Sequence, residues 1–138
     1  TPADCLAMDA TLRPRPNGET LEELVAYVRH TRPDMEIMAD IATAEEAENA
    51  EKLGFDYIST TLRGYTEETK NARLPDIGFM KKVVKTIKKS KVIAEGGIFE
   101  RAEIRKISKI NPYAVVIGSS ITRPAAITAR FVKNLSLR

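Results

Sequence analysis

An α/β fold built on a parallel sheet is what this 138-residue sequence predicts, on three observations. Short apolar runs recur at 5–8, 36–39, 55–58, 92–94 and 114–117, and a helix-like stretch follows each. The runs are continuous rather than alternating, which suits strands covered by helices. Each run ends in a polar residue or glycine: Asp9, Asp40, Thr60, Glu95 and Gly118. No linker or composition shift divides the chain, so 1–138 is expected to form one domain.

Cys5-Leu6-Ala7-Met8 is the first strand, and Pro14, Pro16, Asn17 and Gly18 mark the loop beyond it. Leu21, Leu24, Val25 and Val28 recur at helical spacing over about 19–30, and Pro33 closes that helix. Glu36 to Ala39 is the second strand. Thr43 and Glu46 form a capping box for a helix faced by Ala47, Ala50 and Leu53, with Gly54 as its C-terminal cap. Phe55 to Ile58 is the third strand, and the longest loop of the chain follows it. Asp76 caps a helix carrying Ile77, Met80, Val83, Val84 and Ile87. Val92 to Ala94 is the fourth strand, and the next helix, about 100–110, turns Ile104 and Ile107 inward. Ala114 to Ile117 is the fifth strand. Pro124 suits the first turn of the last helix, which lines up Ile127, Phe131 and Leu135.

In a (β/α) barrel all strand tips lie on one rim, where active sites sit. A closed barrel has eight units over about 250 residues. Five units predict either an open five-stranded parallel sheet or the C-terminal portion of a TIM (β/α)8 barrel. Such a piece leaves two sheet edges and apolar surface open, so further units or a second copy are expected to cover them.

The composition, 43% apolar and 30% charged with net charge +3, gives no argument for nucleic acid. Lys81, Lys82, Lys85, Lys88, Lys89 and Lys91 fall opposite Val83, Val84 and Ile87, as on a solvated helix face. No apolar run is long enough to cross a bilayer, and no signal peptide is visible in a chain that begins with Thr1. A single cysteine, Cys5, suits a reducing, cytoplasmic setting and reads as buried filler in its strand.

Glu95 closes an apolar strand and precedes Gly96-Gly97. An unpaired carboxylate is costly inside a strand but has a place at its tip, facing a pocket. The glycines let the backbone approach a ligand, and amides near a helix start bind phosphate. The structural alternative is a glutamate paired with a lysine to hold the rim. Asp40 can accept hydrogen bonds from hydroxyls or serve as a cap. Asp9 is explained by an Asp-Ala-Thr turn. Gly118-Ser119 leads into a helix start and suits a phosphate, or is a plain turn. Arg123 can pair with that anion or sit on a solvated helix start. His30 reads as a favourable charge at a helix C-terminus. The Tyr65 loop is long enough for a partial lid.

Met8-Asp9-Ala10-Thr11, Ile37-Met38-Ala39-Asp40-Ile41, Thr60-Thr61-Leu62-Arg63-Gly64-Tyr65-Thr66, Val92 to Gly96 and Val116 to Pro124 occur in this order. Together they resemble the N-acetylmannosamine-6-phosphate 2-epimerases of bacterial sialic-acid catabolism. The resemblance implies a dimeric TIM barrel without cofactor or metal. It interconverts N-acetylmannosamine 6-phosphate and N-acetylglucosamine 6-phosphate by proton transfer at C2. It implies Glu95 as the acid/base carboxylate and Asp40, Thr60, Thr61 and Arg123 as sugar contacts. Gly97, Gly118 and Ser119 then hold the 6-phosphate. Ser59 stands where the family usually has glycine, Ser120 where it usually has a smaller residue, and Gly97 at a variable position. The family's catalytic lysine, and a substrate-contacting glutamine and arginine, belong to three strands ahead of these five. Two alternatives are a TIM-barrel enzyme acting on another sugar phosphate and a non-catalytic phosphosugar-binding fragment.

Overall fold

The computed structural model describes residues 3–133 and 135. The strands are β1 (Cys5–Asp9), β2 (Glu36–Asp40), β3 (Tyr57–Ser59), β4 (Lys91–Ala94) and β5 (Ala114–Val115). They form one parallel sheet in the order β1-β2-β3-β4-β5. Each strand pairs with its successor in sequence, so every crossover passes over the same face. The crossovers carry α1 (Leu21–Thr31), α2 (Ala44–Lys52), α3 (Ile77–Thr86) and α4 (Arg101–Ser108). After β5 come α5 (Ser119–Thr122) and α6 (Pro124–Lys133).

The helices begin where local chemistry dictates. Thr43 accepts from the Glu46 amide while the Glu46 carboxylate returns a bond to the Thr43 amide, as the spacing predicts. Thr20 and Glu23 make a second capping box, which the pattern Thr-x-x-Glu also encodes. The Asp76 carboxylate accepts from the Phe79 amide at 2.9 Å and starts α3. Gly54, at φ +84°, follows the end of α2 in the left-handed conformation expected of a C-terminal cap.

The helix-facing side of the sheet is the core. Ile37, Ala39 and Ile58 are fully buried there, against Leu21, Val25, Ala47, Ala50 and Val83. A second cluster joins Met80, Ala94, Ile98 and Ile107. The opposite face of the sheet carries Cys5, Ala7, Met38 and Tyr57 and is only partly covered. Cys5 is exposed there, not the buried filler its apolar neighbours suggest, because β1 is an edge strand that helices cover on one side only. Leu6 and Val116, at opposite edges, are 41% and 39% exposed. Of the apolar line on the last helix, Ile127 is partly buried, while Phe131, and Leu135 just beyond α6, are exposed. All six lysines between 81 and 91 are exposed, as the helical pattern requires.

Two polar staples hold the ends of the strands. At the N-terminal ends, the Asp56 carboxylate accepts from the Ile37 amide at 2.8 Å and from Arg29 at 2.8 Å. Arg29 also donates to the carbonyls of Met35 and Gly54. Partial burial disfavours the Asp56 carboxylate, but these donors outweigh it and hold its pKa below the ordinary value. At the C-terminal ends, Glu46 is only 5% exposed and accepts from the Ala42, Thr43 and Leu12 amides.

Glu46→Ala leaves three backbone donors near the rim without their acceptor. Urea unfolding should register a loss of roughly 1–3 kcal/mol, the cost of orphaned buried donors. Arg29→Ala should remove part of the stability that Asp56 supplies. The sign follows from its lowered pKa: that contribution is present above the ordinary carboxylate value and fades as pH falls through the folded one. The difference in melting temperature between wild type and variant should therefore shrink toward pH 3.

Candidate active site

Strand register places the site. Asp40 pairs with Ser59, and Ser59 with Ile93. Side chains alternate along a strand, so Thr61 and Glu95, two residues on, project from the same face as Ser59 and Ile93. Asp9 pairs with Asp40 and completes the row at the β1 edge. Neighbouring strands thus bring Asp40, Ser59, Thr61 and Glu95 within reach of one another, though up to 55 residues separate them in sequence.

The backbone beneath is fixed by Thr60. Its hydroxyl accepts from the Glu95 amide at 2.9 Å and donates to the Glu95 carbonyl at 2.7 Å. The pairing of β3 with β4 continues through this side chain after the strands have ended. Gly96, at φ +111°, then turns the chain, and an added Cβ would lie 3.5 Å from the Thr60 carbonyl oxygen.

Glu95 Oε2 lies 3.1 Å from Ser59 Oγ and 2.9 Å from Thr61 Oγ1. Thr61 Oγ1 lies 3.0 Å from Asp40 Oδ1, and the two hydroxyl oxygens are 2.6 Å apart. Burial raises the pKa of Asp40 above its ordinary value. The Thr61 hydroxyl opposes that shift, and the charges of Glu95 and Asp9 reinforce it. Asp9 shifts the other way. Partial burial works against its ionisation, but the Thr11 hydroxyl and amide and the Arg13 guanidinium outweigh it. Asp9 therefore closes its own turn, as the Asp-Ala-Thr sequence suggests.

A cavity of about 310 Å³ opens beside this cluster. Thr61, Leu62 and Tyr65 line it from the β3–α3 loop, and Glu95 to Phe99 from the β4–α4 loop. Val116, Ile117, Gly118 and Ser119 line it from β5 and the start of α5. Gly97 has φ +67°, and a Cβ there would meet the Leu74 Cβ at 2.5 Å. Glycine is therefore required at 97 by a close approach of the β3–α3 loop. That loop is internally bonded through Thr66, Thr69 and the Gly64 amide. It is anchored by Arg63, which pairs with Asp76, donates to the Ala42 carbonyl and stacks on Phe79.

Of the residues picked out by sequence, Glu95, Thr61, Gly97, Gly118 and Ser119 line the cavity together. Asp40 joins them through Thr61. Thr60 does not face the cavity as expected: it is fully buried and its hydroxyl is committed to the Glu95 backbone. Arg123 is exposed at the end of α5 and is not among the lining residues. His30 is exposed in the last turn of α1, remote in the fold from the strand tips. Ser59, which no local pattern singles out, also joins the cluster. Its signal is the register itself, which sets it between Asp40 and Glu95. The short α5 was also missed, because four residues are too few to show a helical period. Among the described residues no group of three or more histidine, cysteine or acidic side chains could hold a metal ion.

Fold and site define a (β/α)-barrel type of protein with two hydroxyl-bridged carboxylates at the strand tips. A family model described as "Putative N-acetylmannosamine-6-phosphate epimerase" matches residues 1–136. The chain belongs to this N-acetylmannosamine-6-phosphate epimerase family. It is 51% identical over 132 residues to a "Putative N-acetylmannosamine-6-phosphate 2-epimerase" of Staphylococcus carnosus, covering 94% of this chain and 58% of that protein. A protein of the same description from Staphylococcus aureus is 48% identical, with 94% and 59% covered. The solved N-acetylmannosamine-6-phosphate 2-epimerase from Clostridium perfringens superposes with TM-score 0.90 at 44% identity, covering 98% of this chain and 58% of that one. A thiamine phosphate pyrophosphorylase from Pyrococcus furiosus, at TM-score 0.61 and 24% identity, covering 85% of this chain and 50% of that one, shares the fold. The chain spans about three-fifths of the length of the relatives it matches.

Gly97→Ala combines a left-handed backbone with a Cβ contact of 2.5 Å, so it should destabilise by about 1–3 kcal/mol or displace the Leu74 loop. Urea unfolding together with amide exchange in the β3–α3 loop measures both. Asp40→Asn should raise the melting temperature at neutral pH. Because the folded pKa of Asp40 is raised, its stability deficit appears as pH rises through the unfolded value and is complete above the folded one. Thermal melts at pH 4 and pH 8 should show the gain only at the higher pH.

Proposed function

We propose that these residues supply part of the active site of an isomerase that interconverts N-acetylmannosamine 6-phosphate and N-acetylglucosamine 6-phosphate at C2. The observation that carries the reading is the pair of carboxylates, Asp40 and Glu95, joined by Thr61 beside a cavity that ends at Gly118-Ser119. Family membership and the relatives' names support the substrate.

Epimerisation next to a carbonyl removes a proton from one face of the carbon and returns one to the other. Glu95 is the proton carrier on one face, steadied by Ser59 and Thr61. The other face needs a second acid/base group, the role the resemblance gives to the family's catalytic lysine. Asp40 and Thr61 bind sugar hydroxyls, and Thr60 positions Glu95 through its backbone. The amides of Gly97, Gly118 and Ser119 hold the 6-phosphate. All three residues border the cavity, and a short extra helix after a late strand is a common phosphate cradle in barrels. Arg123 stands one residue past that helix and, outside the cavity lining, is a second-rank contact for the substrate. The reaction uses no cofactor. The enolate formed on the way is stabilised by fixed donors around the cavity.

In this reading the chain is one domain, the C-terminal portion of a TIM barrel, working in the cytoplasm as a homodimer. No described helix is long and apolar enough to cross a membrane. Covering β1, β5 and the exposed face of α6 is the structural reason for further units or a second copy.

The full chain in heavy water should introduce deuterium at C2 of N-acetylmannosamine 6-phosphate, followed by proton NMR. Glu95→Gln should lower kcat by about 10²–10⁴-fold with KM changed only a few-fold, the usual contribution of a general acid/base group. Full activity in Glu95→Gln refutes the role. Binding without exchange in the wild type favours a non-catalytic phosphosugar-binding protein.

A further inference from the structure

The four oxygens at the strand tips make more contacts than their hydrogens can fill. Ser59 and Thr61 each carry one hydroxyl hydrogen. Four contacts of 2.6–3.1 Å join Ser59 to Glu95, Ser59 to Thr61, Thr61 to Glu95 and Thr61 to Asp40. With both carboxylates ionised, only two of these contacts contain a hydrogen. One added proton fills a third. Ser59 is fully buried, so its hydroxyl has this cluster in place of water.

We propose that the Thr61 hydroxyl is a proton relay between Glu95 and Asp40, with Ser59 as its positioning residue, so that the two carboxylates hold one proton in common. In one state the Glu95 Oε2 hydrogen points at Thr61 Oγ1, and the Thr61 hydrogen points at the Asp40 carboxylate. In the transfer the Glu95 O–H bond breaks and a bond to Thr61 Oγ1 forms. The original Thr61 O–H bond breaks as its hydrogen bonds to Asp40 Oδ1. The products are ionised Glu95, neutral Asp40 and an unchanged hydroxyl. Charge and atoms balance, and the reverse step resets the site. Ser59 Oγ, 2.6 Å from Thr61 and 3.1 Å from Glu95, keeps the Thr61 oxygen facing both acids.

The surroundings favour a shared proton. On the β1 side Asp9 faces Asp40 and is itself held by Arg13. From the β3–α3 loop Tyr65 borders the cavity with Glu95, and the lining from β5 and α5 is Val116, Ile117, Gly118 and Ser119, none of them ionisable. Among the described residues no lysine or arginine lines the cavity. Use of the relay in catalysis rests on the epimerase reading: with the shared proton moved to Asp40, Glu95 is ionised and takes the proton from C2, and with it moved to Glu95 that residue returns one.

A double-mutant cycle read by carboxyl carbon-13 NMR in the full chain tests the relay without substrate. Glu95→Gln should lower the Asp40 titration midpoint measurably when residue 61 is Thr, the mark of two groups titrating as a pair. The displacement should persist in Thr61→Ser, which keeps the hydroxyl, and fall to less than half in Thr61→Val, which is of similar size and lacks it. Ser59→Ala should give an intermediate value. Equal displacements with Val and Thr would mean that the acids interact only through space, and the relay is then wrong. Should Thr61→Val fail to fold, loss of the displacement in Thr61→Ser, or an unchanged one in Ser59→Ala, is equally fatal. The expected cycle in a protein that exchanges no C2 proton supports the relay and removes the epimerase reading.

Discussion

The clasp between Thr60 and the Glu95 backbone is the constraint on which the site depends. Parallel strands lose their ladder where they end, and the carboxylate sits one residue beyond the last residue of β4. Without a further bond that residue would belong to a loop. The Thr60 hydroxyl takes the place of a missing backbone partner, accepting from the amide and donating to the carbonyl of Glu95. Because Thr60 is fully buried, water does not compete for either bond. The Glu95 side chain thereby gains the precision of a strand while standing at an open mouth.

The two ends of the sheet divide the work. At the N-terminal ends, Arg29 and Asp56 bind carbonyls and an amide of the backbone, and their geometry serves folding alone. At the C-terminal ends, Glu46 performs a similar service from α2, tying the turns after β1 and β2. Above that level stand Asp40 and Glu95, whose side-chain partners are the hydroxyls of Ser59 and Thr61. Asp9 marks the boundary. It shares the register row of Asp40 but is neutralised by Arg13 and by its own turn. Residue type and row do not decide function here; the partner does.

The alternation of strands and helices was readable because continuous apolar runs and capping residues are local signals. Thr43, Glu46, Asp76 and Gly54 do what their positions in the sequence imply. The rim was readable for the same reason, since a carboxylate or threonine after an apolar run marks a strand end. What escaped depends on relations between strands. Ser59 looks like one more polar residue until the register sets it beside Asp40 and near Glu95. Thr60 and Thr61 look equivalent, yet the two-residue alternation sends one hydroxyl into the backbone and the other to the carboxylates. Cys5 departs from its expected burial because apolar neighbours report a strand without reporting whether it has an outer neighbour.

The approach of Leu74 to Gly97 joins two loops that sequence would treat as separate. With no room for even one methyl group between them, neither segment has slack of its own. Leu74 and the glycine turn can shift only together, like two cogs with meshed teeth. Any molecule that pins the turn therefore also holds Leu74 in place.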